Sequence, residues 1–192
     1  MSICEHCGSE LDWRARSDAR FCSTRCRVAH HRATRPALPS LPAELTTRDR
    51  WLRHVAKRPI TASGAPASCS DPATWCSHSK AAASKKGDGL GFALNGDGIV
   101  CIDLDHCLTD GRLLTPSAAF ALMKAPATYI EISPSGDGLH IWGRAKLDAA
   151  RVRPGVEIYG DGRYMTVTGN RWMQCPSTLG DLSDLIRYLE AR

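Results

Sequence analysis

The sequence predicts an α+β fold in which an antiparallel or mixed sheet carries helices on its faces, with a small metal-bound module ahead of it. Three observations lead there. Short runs rich in β-branched residues alternate around 100–105, 127–133 and 156–169, and shorter apolar stretches at 90–94 and 139–142 read as further strands. Two stretches, 115–124 and 179–189, carry apolar residues at helical spacing. Four cysteines near the start come as two close pairs.

With 192 residues the chain has room for one domain and a small module, and a core of about 140 residues buries enough surface to fold alone. A hydrophobic share of 43% excludes wholesale disorder. The net charge of +5 and pI near 8.8 are compatible with a polyanionic partner without requiring one. No secretory leader and no run long enough to span a membrane is visible, so no membrane partner and an intracellular, cytoplasmic place are expected. Nine cysteines are many for a reducing compartment, where clustered thiols hold metal more often than they form disulfides.

The first module spans 1–32. Cys4 and Cys7, then Cys22 and Cys26, present two thiolate pairs on short turns, the spacing of a closed tetrahedral zinc site. Some thirty residues bury too little to fold otherwise, so zinc would supply the folding energy. A helix is expected from Cys26 to Arg32, with His30 and His31 as solvated residues rather than ligands. Seven arginines between Arg14 and Arg35 make this the most basic part of the chain. They suit phosphate contacts and a merely solvated face equally well. Residues 33–47, with Pro36, Pro39 and Pro42, read as an extended linker, and 48–192 as the main domain.

Within that domain Val100-Cys-Ile-Asp-Leu-Asp-His106 matters most. A strand repeats its facing every second residue, so Asp103 and Asp105 share one face while Val100, Ile102 and Leu104 point into a core. Their backbone separation of roughly 6.5–7 Å lets both carboxylates reach one divalent ion or a close pair. A lone Asp-x-Asp is more often a strand running into a polar turn, and two further stretches change the balance.

The first is Ser133-Pro-Ser-Gly-Asp-Gly-Leu-His140, whose small residues expose Ser135 and backbone N–H groups to phosphate oxygens before His140 opens a strand. The second is Val156-Glu-Ile-Tyr159, where Glu157 faces away from Val156 and Ile158, with Asp161 as the alternative third carboxylate. Gly160-Asp-Gly162 is read as a turn that brings 163–169 back as the partner strand, with Arg163, Thr166 and Thr168 on one face.

The remaining stretches are scaffold. Asp71-Pro starts a helix through about Ala83, with Trp75 in the core. Lys85 to Gly91 is a turn, and Asn95-Gly-Asp-Gly98 a hairpin between two neighbouring strands. His106 and Cys107 belong to a turn rather than a metal site. Thr115 caps a helix to Lys124, and Ile130 and Ile132 point inward with Tyr129, Glu131 and Ser133 opposite. The chain ends in an amphipathic helix from Leu179 to Leu189.

Taken in order, Asp-x-Asp after an apolar run, Ser-x-Ser-Gly-x-Gly-x-His, and an apolar–acidic strand before Arg163-Tyr-Met-Thr-Val-Thr-Gly169 resemble the archaeo-eukaryotic primase superfamily. The likeness is to the bifunctional primase/polymerase domains of phages and plasmids and covers roughly 48–192. The wording Phe21-Cys-Ser-Thr-Arg-Cys-Arg27 is similar to a treble-clef or ribbon zinc finger.

The resemblance implies an RRM-like core and a template-dependent nucleotidyltransferase acting on single-stranded DNA in a bacterial or phage-infected cell. It implies Mg²⁺ or Mn²⁺ held by Asp103, Asp105 and Glu157. It also implies a nucleoside triphosphate contacted by Ser133, Ser135, Gly136, His140, Arg163 and, at a Lys-x-Pro turn, Lys57 with Arg58. A separate replicative helicase is an implied partner. The rival is a non-catalytic zinc-finger nucleic-acid-binding protein with a degenerate primase fold. Metal-dependent phosphodiester hydrolysis is a second rival, one with no need of a triphosphate cradle.

Overall fold

The computed structural model describes residues 3–11, 16, 19–23, 26, 41–109 and 111–191. They belong to two compact units, Met1–Leu38 and Pro39–Arg192. In the first, Cys4 is buried and Arg20 makes a two-pronged ion pair with Glu5 at 2.6 Å. Cys26 is helical, but the rest of the expected 26–32 helix, including His30 and His31, lies outside the described residues. So does 33–40 of the expected linker.

Residues 41–47 differ from the extended linker expected there. Helix α1 (Ala43–Thr46) buries Leu45, and the Trp51 indole donates to the Leu45 carbonyl at 3.1 Å. The apolar Leu41 and Leu45 have a core to join, which spacing between prolines does not reveal.

Strands β1 (Trp51–Val55) and β2 (Arg58–Ile60) form a hairpin. The expected helix from Asp71 to Ala83 is instead a 3-10 turn, Pro72–Thr74, and a separate helix α2 (His78–Ala83). Asp71 caps the first through Ala73 N–H and Ser77 caps the second through Lys80 N–H. Between them Cys76 pairs its backbone with Trp51 and draws the chain out straight. Strand β3 (Gly89–Asn95) follows.

The next elements are β4 (Ile99–Leu104), the short pair β5 (Leu108–Thr109) and β6 (Arg112–Leu113), and α3 (Pro116–Lys124), capped by Thr115 as expected. Then come β7 (Ile130–Ile132), β8 (Leu139–Arg144), β9 (Arg151–Arg153), β10 (Val156–Tyr159), β11 (Asp161–Val167) and β12 (Gly180–Asp181). Helix α4 (Ser183–Glu190) ends the chain, shorter than expected because Leu179 to Asp181 pair with β8 or pack beside it.

Two sheets result. One is antiparallel, in the order β11-β3-β1-β2. The other is mixed, in the order β12-β8-β4-β10-β9, with β7 beside β12 on the free edge of β8. Trp51, Phe92 and Met165 from the first sheet meet Tyr129, Trp142 and Cys101 from the second, with the Phe92 and Trp142 rings 6.0 Å apart. On its other face the mixed sheet packs Val100, Ile102, Ile141 and Ile158 against Ala118 and Ala121 of α3 and Leu185 and Ile186 of α4. Strand β4 is therefore apolar on both sides except at Asp103, as a central strand between two layers must be. Gly143 and Gly180 let β12 lie close, since a Cβ on Gly143 would stand 2.6 Å from the Gly180 carbonyl.

Two expected hairpins are crossings. The 95–98 turn carries the chain from β3 in one sheet to β4 in the other, and Gly160 carries it from β10 to β11, whose partner is β3. Turn chemistry reads the same in both cases, because it reports a reversal and not which sheet receives the next strand. The first crossing is held by the buried Arg50, which pairs with Asp97 at 2.9 and 3.1 Å and lies over the Phe92 ring at 4.7 Å.

Candidate metal and nucleotide site

The site forms where the two sheets part. Register aligns Glu157 of β10 with Asp103 of β4, Asp103 with His140 of β8, and His140 with Glu131 of β7, a row of four titratable side chains on one face of the mixed sheet. Asp105 follows two residues after Asp103 at the end of its strand. Asp103, Asp105 and Glu157 each offer an oxygen within 4.8 Å of the others. Asp161 stands apart from that trio, its carboxylate accepting from Gly162 N–H at 2.8 Å.

The three carboxylates fit a hard divalent cation on two grounds. Oxygen donors of this kind select Mg²⁺ or Mn²⁺ over softer metals. Asp103 Oδ1 is buried and has no hydrogen-bond partner, which is costly unless a cation meets it. Burial raises the Asp103 pKa, with Asp105 and Glu157 adding to the shift and His140 opposing it. His140 Nε2 stands 3.6 Å from that oxygen, too far for a hydrogen bond. Glu157 is oriented by Tyr159, whose hydroxyl donates to it at 2.7 Å.

A cavity of about 330 Å³ opens above the carboxylates. Of the residues expected to meet a triphosphate, Ser133, Ser135, His140, Arg163 and Lys57 line it, while Gly136 sits at the tip of its turn beyond the lining. That turn is closed internally: Gly136 N–H donates to the Ser133 carbonyl at 3.0 Å and Gly138 N–H to Ser133 Oγ at 3.2 Å. Ser135 Oγ donates to Asp137, whose other oxygen meets His106 Nδ1 at 2.6 Å. His106 thus ties two turns together, consistent with the turn role expected for it.

Arg163 lies over the Tyr159 ring at 4.5 Å. It does not share a face with Thr166 and Thr168 as expected. Arg163 has the parity of Met165 and Val167, which fill the core, and it follows directly on a β-bulge between Asp161 and Arg163 near the start of the strand. Lys57 sits at the second position of a two-residue turn in which Ala56 and Lys57 both have positive φ, 45° and 63°. Tyr164 clamps that turn by donating to the Lys57 carbonyl at 2.5 Å.

Tyr159, Tyr164 and Cys69 also line the cavity and escaped the sequence reading. Glu131 escaped it too. Tyr159 and Glu131 carried a usable signal, since each lies two residues from a singled-out position on the same strand face.

Over 117 residues the chain is 40% identical to the DNA Primase-polymerase of Nitratiruptor phage NrS-1. The chain is similar to a phage primase-polymerase. The match covers 55% of this chain, which spans 16% of the length of that relative. No protein-family model matches the chain.

In the first unit the thiols of Cys4, Cys7, Cys22 and Cys26 lie within 4.8 Å of one another, a donor set suited to zinc. Backbone N–H groups of Cys7 and Cys22 pull the Cys4 thiol down to about 6, whereas hydrogen bonds from Cys26, Cys7 and Cys4 push Cys22 up to about 12. Among the described residues no helix is long and apolar enough to cross a membrane.

Proposed function

We propose that the unit from Pro39 onward is the catalytic domain of a template-dependent nucleotidyltransferase, a primase/polymerase that makes or extends primers on single-stranded DNA. The observation that carries this reading is the meeting of Asp103, Asp105 and Glu157 beside a cavity lined by His140, Lys57 and Arg163. Carboxylates on one wall and cationic or donor groups on the other suit a metal-bound triphosphate, whereas hydrolysis alone needs only the carboxylates. The likeness to a protein named DNA Primase-polymerase supports the same reading. The reading takes the mixed sheet and its helices as the RRM-like core.

Asp103, Asp105 and Glu157 would hold two Mg²⁺ or Mn²⁺ ions. When bound, such ions lower the pKa of the attacking 3′-hydroxyl and stabilise charge on the phosphoryl group as pyrophosphate leaves. Tyr159 keeps Glu157 turned toward its partners. His140 presents Nε2 to the phosphates, Ser133 and Ser135 offer hydroxyls, and Arg163 and Lys57 neutralise negative charge. Gly136 gives its turn the positive φ it needs, 86°, which holds Ser133 and Ser135 at the cavity. Cys4, Cys7, Cys22 and Cys26 would hold a structural zinc, and a helicase would act as a separate partner.

The test is incubation of the purified chain with single-stranded DNA, labelled nucleoside triphosphates and Mg²⁺ or Mn²⁺, with and without an annealed primer. Products without primer establish priming, and products only with primer establish extension. The Asp103→Ala, Asp105→Ala double variant should keep its circular dichroism spectrum and form no product. Wild-type DNA binding without product under either metal would replace this reading with the non-catalytic one.

A further inference from the structure

The mechanism above gives no role to the buried carboxylate of Glu131. Glu131 is 0% exposed, yet its strand neighbours Ile130 and Ile132 face the apolar layer beneath the helices. A carboxylate taken out of water is strongly destabilising unless its lone pairs are met by donors. Here five donors meet it. Oε1 accepts from His140 Nδ1 and from the Trp142 indole, each at 3.3 Å. Oε2 accepts from the Tyr129 hydroxyl at 3.0 Å and from the backbone N–H groups of Thr168 and Gly169 at 3.1 and 2.9 Å.

Three of these partners, the indole and the two amides, can only donate. They match a group that only accepts. The same demand falls on His140, so Nδ1 must carry a proton, and Nε2 is the nitrogen left to face the cavity. Register enforces the arrangement, because Glu131 and His140 are direct cross-strand partners on β7 and β8. Thr168 and Gly169 continue β11, which belongs to the other sheet, so the Glu131 carboxylate also joins the two sheets beside the cavity.

We propose that Glu131 is the positioning residue of the site: its buried carboxylate fixes the ring orientation and tautomer of His140, so that Nε2 is the atom presented to the ligand. The orientation stands on the geometry alone, and only its use toward a triphosphate rests on the function proposed above. A histidine ring free to flip would offer a donor at either nitrogen and hold an anion poorly. The same ring with Nδ1–H tied to a carboxylate offers Nε2 in one direction, and as the cation it donates there to a phosphate oxygen.

The experiment is ¹⁵N–¹H multiple-bond NMR of the full-length, zinc-loaded chain with labelled histidine, at a pH where the His140 ring is neutral and without nucleotide. His140 signals are assigned by their loss in His140→Gln. The wild type should show His140 protonated at Nδ1 and bare at Nε2. In Glu131→Gln the amide turns its carbonyl to Thr168 and Gly169 and its NH₂ to His140, which should reverse the pattern. A wild-type His140 protonated at Nε2, or a pattern unchanged in the variant, overturns the proposal. The wild-type spectrum decides even if the variant fails to fold.

Binding of a nucleoside triphosphate with Mg²⁺, measured by calorimetry, should weaken about tenfold in Glu131→Gln, because an amide NH₂ at Nδ1 opposes the cationic ring and leaves only a neutral Nε2–H to meet the phosphate. A wild type that binds no triphosphate but shows the expected tautomer would remove the functional reading and leave the role of Glu131 in place. Unchanged affinity despite a reversed tautomer would overturn the link between Glu131 and the ligand.

Discussion

Asp103 is a residue that the fold holds at a cost. It stands on a strand apolar on both faces, with one oxygen unpartnered and two more carboxylates within reach. Replacing it by Asn keeps the shape and removes the charge. Asp103→Asn should therefore melt no lower than the wild type in metal-free buffer, while binding Mn²⁺ about tenfold more weakly or worse in calorimetry. A clear loss of stability would mean that the carboxylate serves folding. Glu131, its near neighbour in the row, is the opposite case: fully satisfied by donors and costly to disturb. The two differ although both are acidic residues in short alternating strands, because only one has the amides of Thr168 and Gly169 within reach.

At the scale of elements, the β1–β2 hairpin shows strain placed beside the cavity. Two-residue turns with both central φ values positive favour Asn-Gly, and here Ala56 and Lys57 occupy them. Ala56→Asn and Lys57→Gly should each raise unfolding stability in urea by about 1 kcal/mol. Lys57→Gly should at the same time weaken triphosphate binding, and Ala56→Asn should leave it alone. Stability gained without any change in binding at Lys57 would show that the cation does not reach the ligand. The β4 strand was legible in full: alternation alone put Val100, Ile102 and Leu104 on one side and Asp103 on the other. The 95–98 and 160–162 turns were legible only as reversals. A hairpin and a crossing use the same residues, and the difference lies in whether a residue of β3 or Ile141 of β8 ends up beside Ile102.

For the whole molecule, Met1–Leu38 and Pro39–Arg192 are separate compact units, and among the described residues the hydrophobic core clusters lie in the second. A zinc chelator should therefore expose 1–38 to limited proteolysis and leave the thermal transition of 39–192 unchanged. Loss of both together would mean that the units depend on one another for stability.

The sequence by itself determined the local chemistry: paired thiols, carboxylates two apart on one strand, the Ser-Pro-Ser-Gly turn before His140, and the cap at Thr115. Each depends on a few consecutive residues, whose facing follows from strand or helix period. Tertiary structure alone decided that Glu157, not Asp161, meets Asp103, that Glu131 stands behind His140, and that β10 and β11 part into different sheets. Those outcomes depend on register between strands far apart in the chain. Register is chosen by which apolar faces can be buried together, and no short window of sequence contains that information.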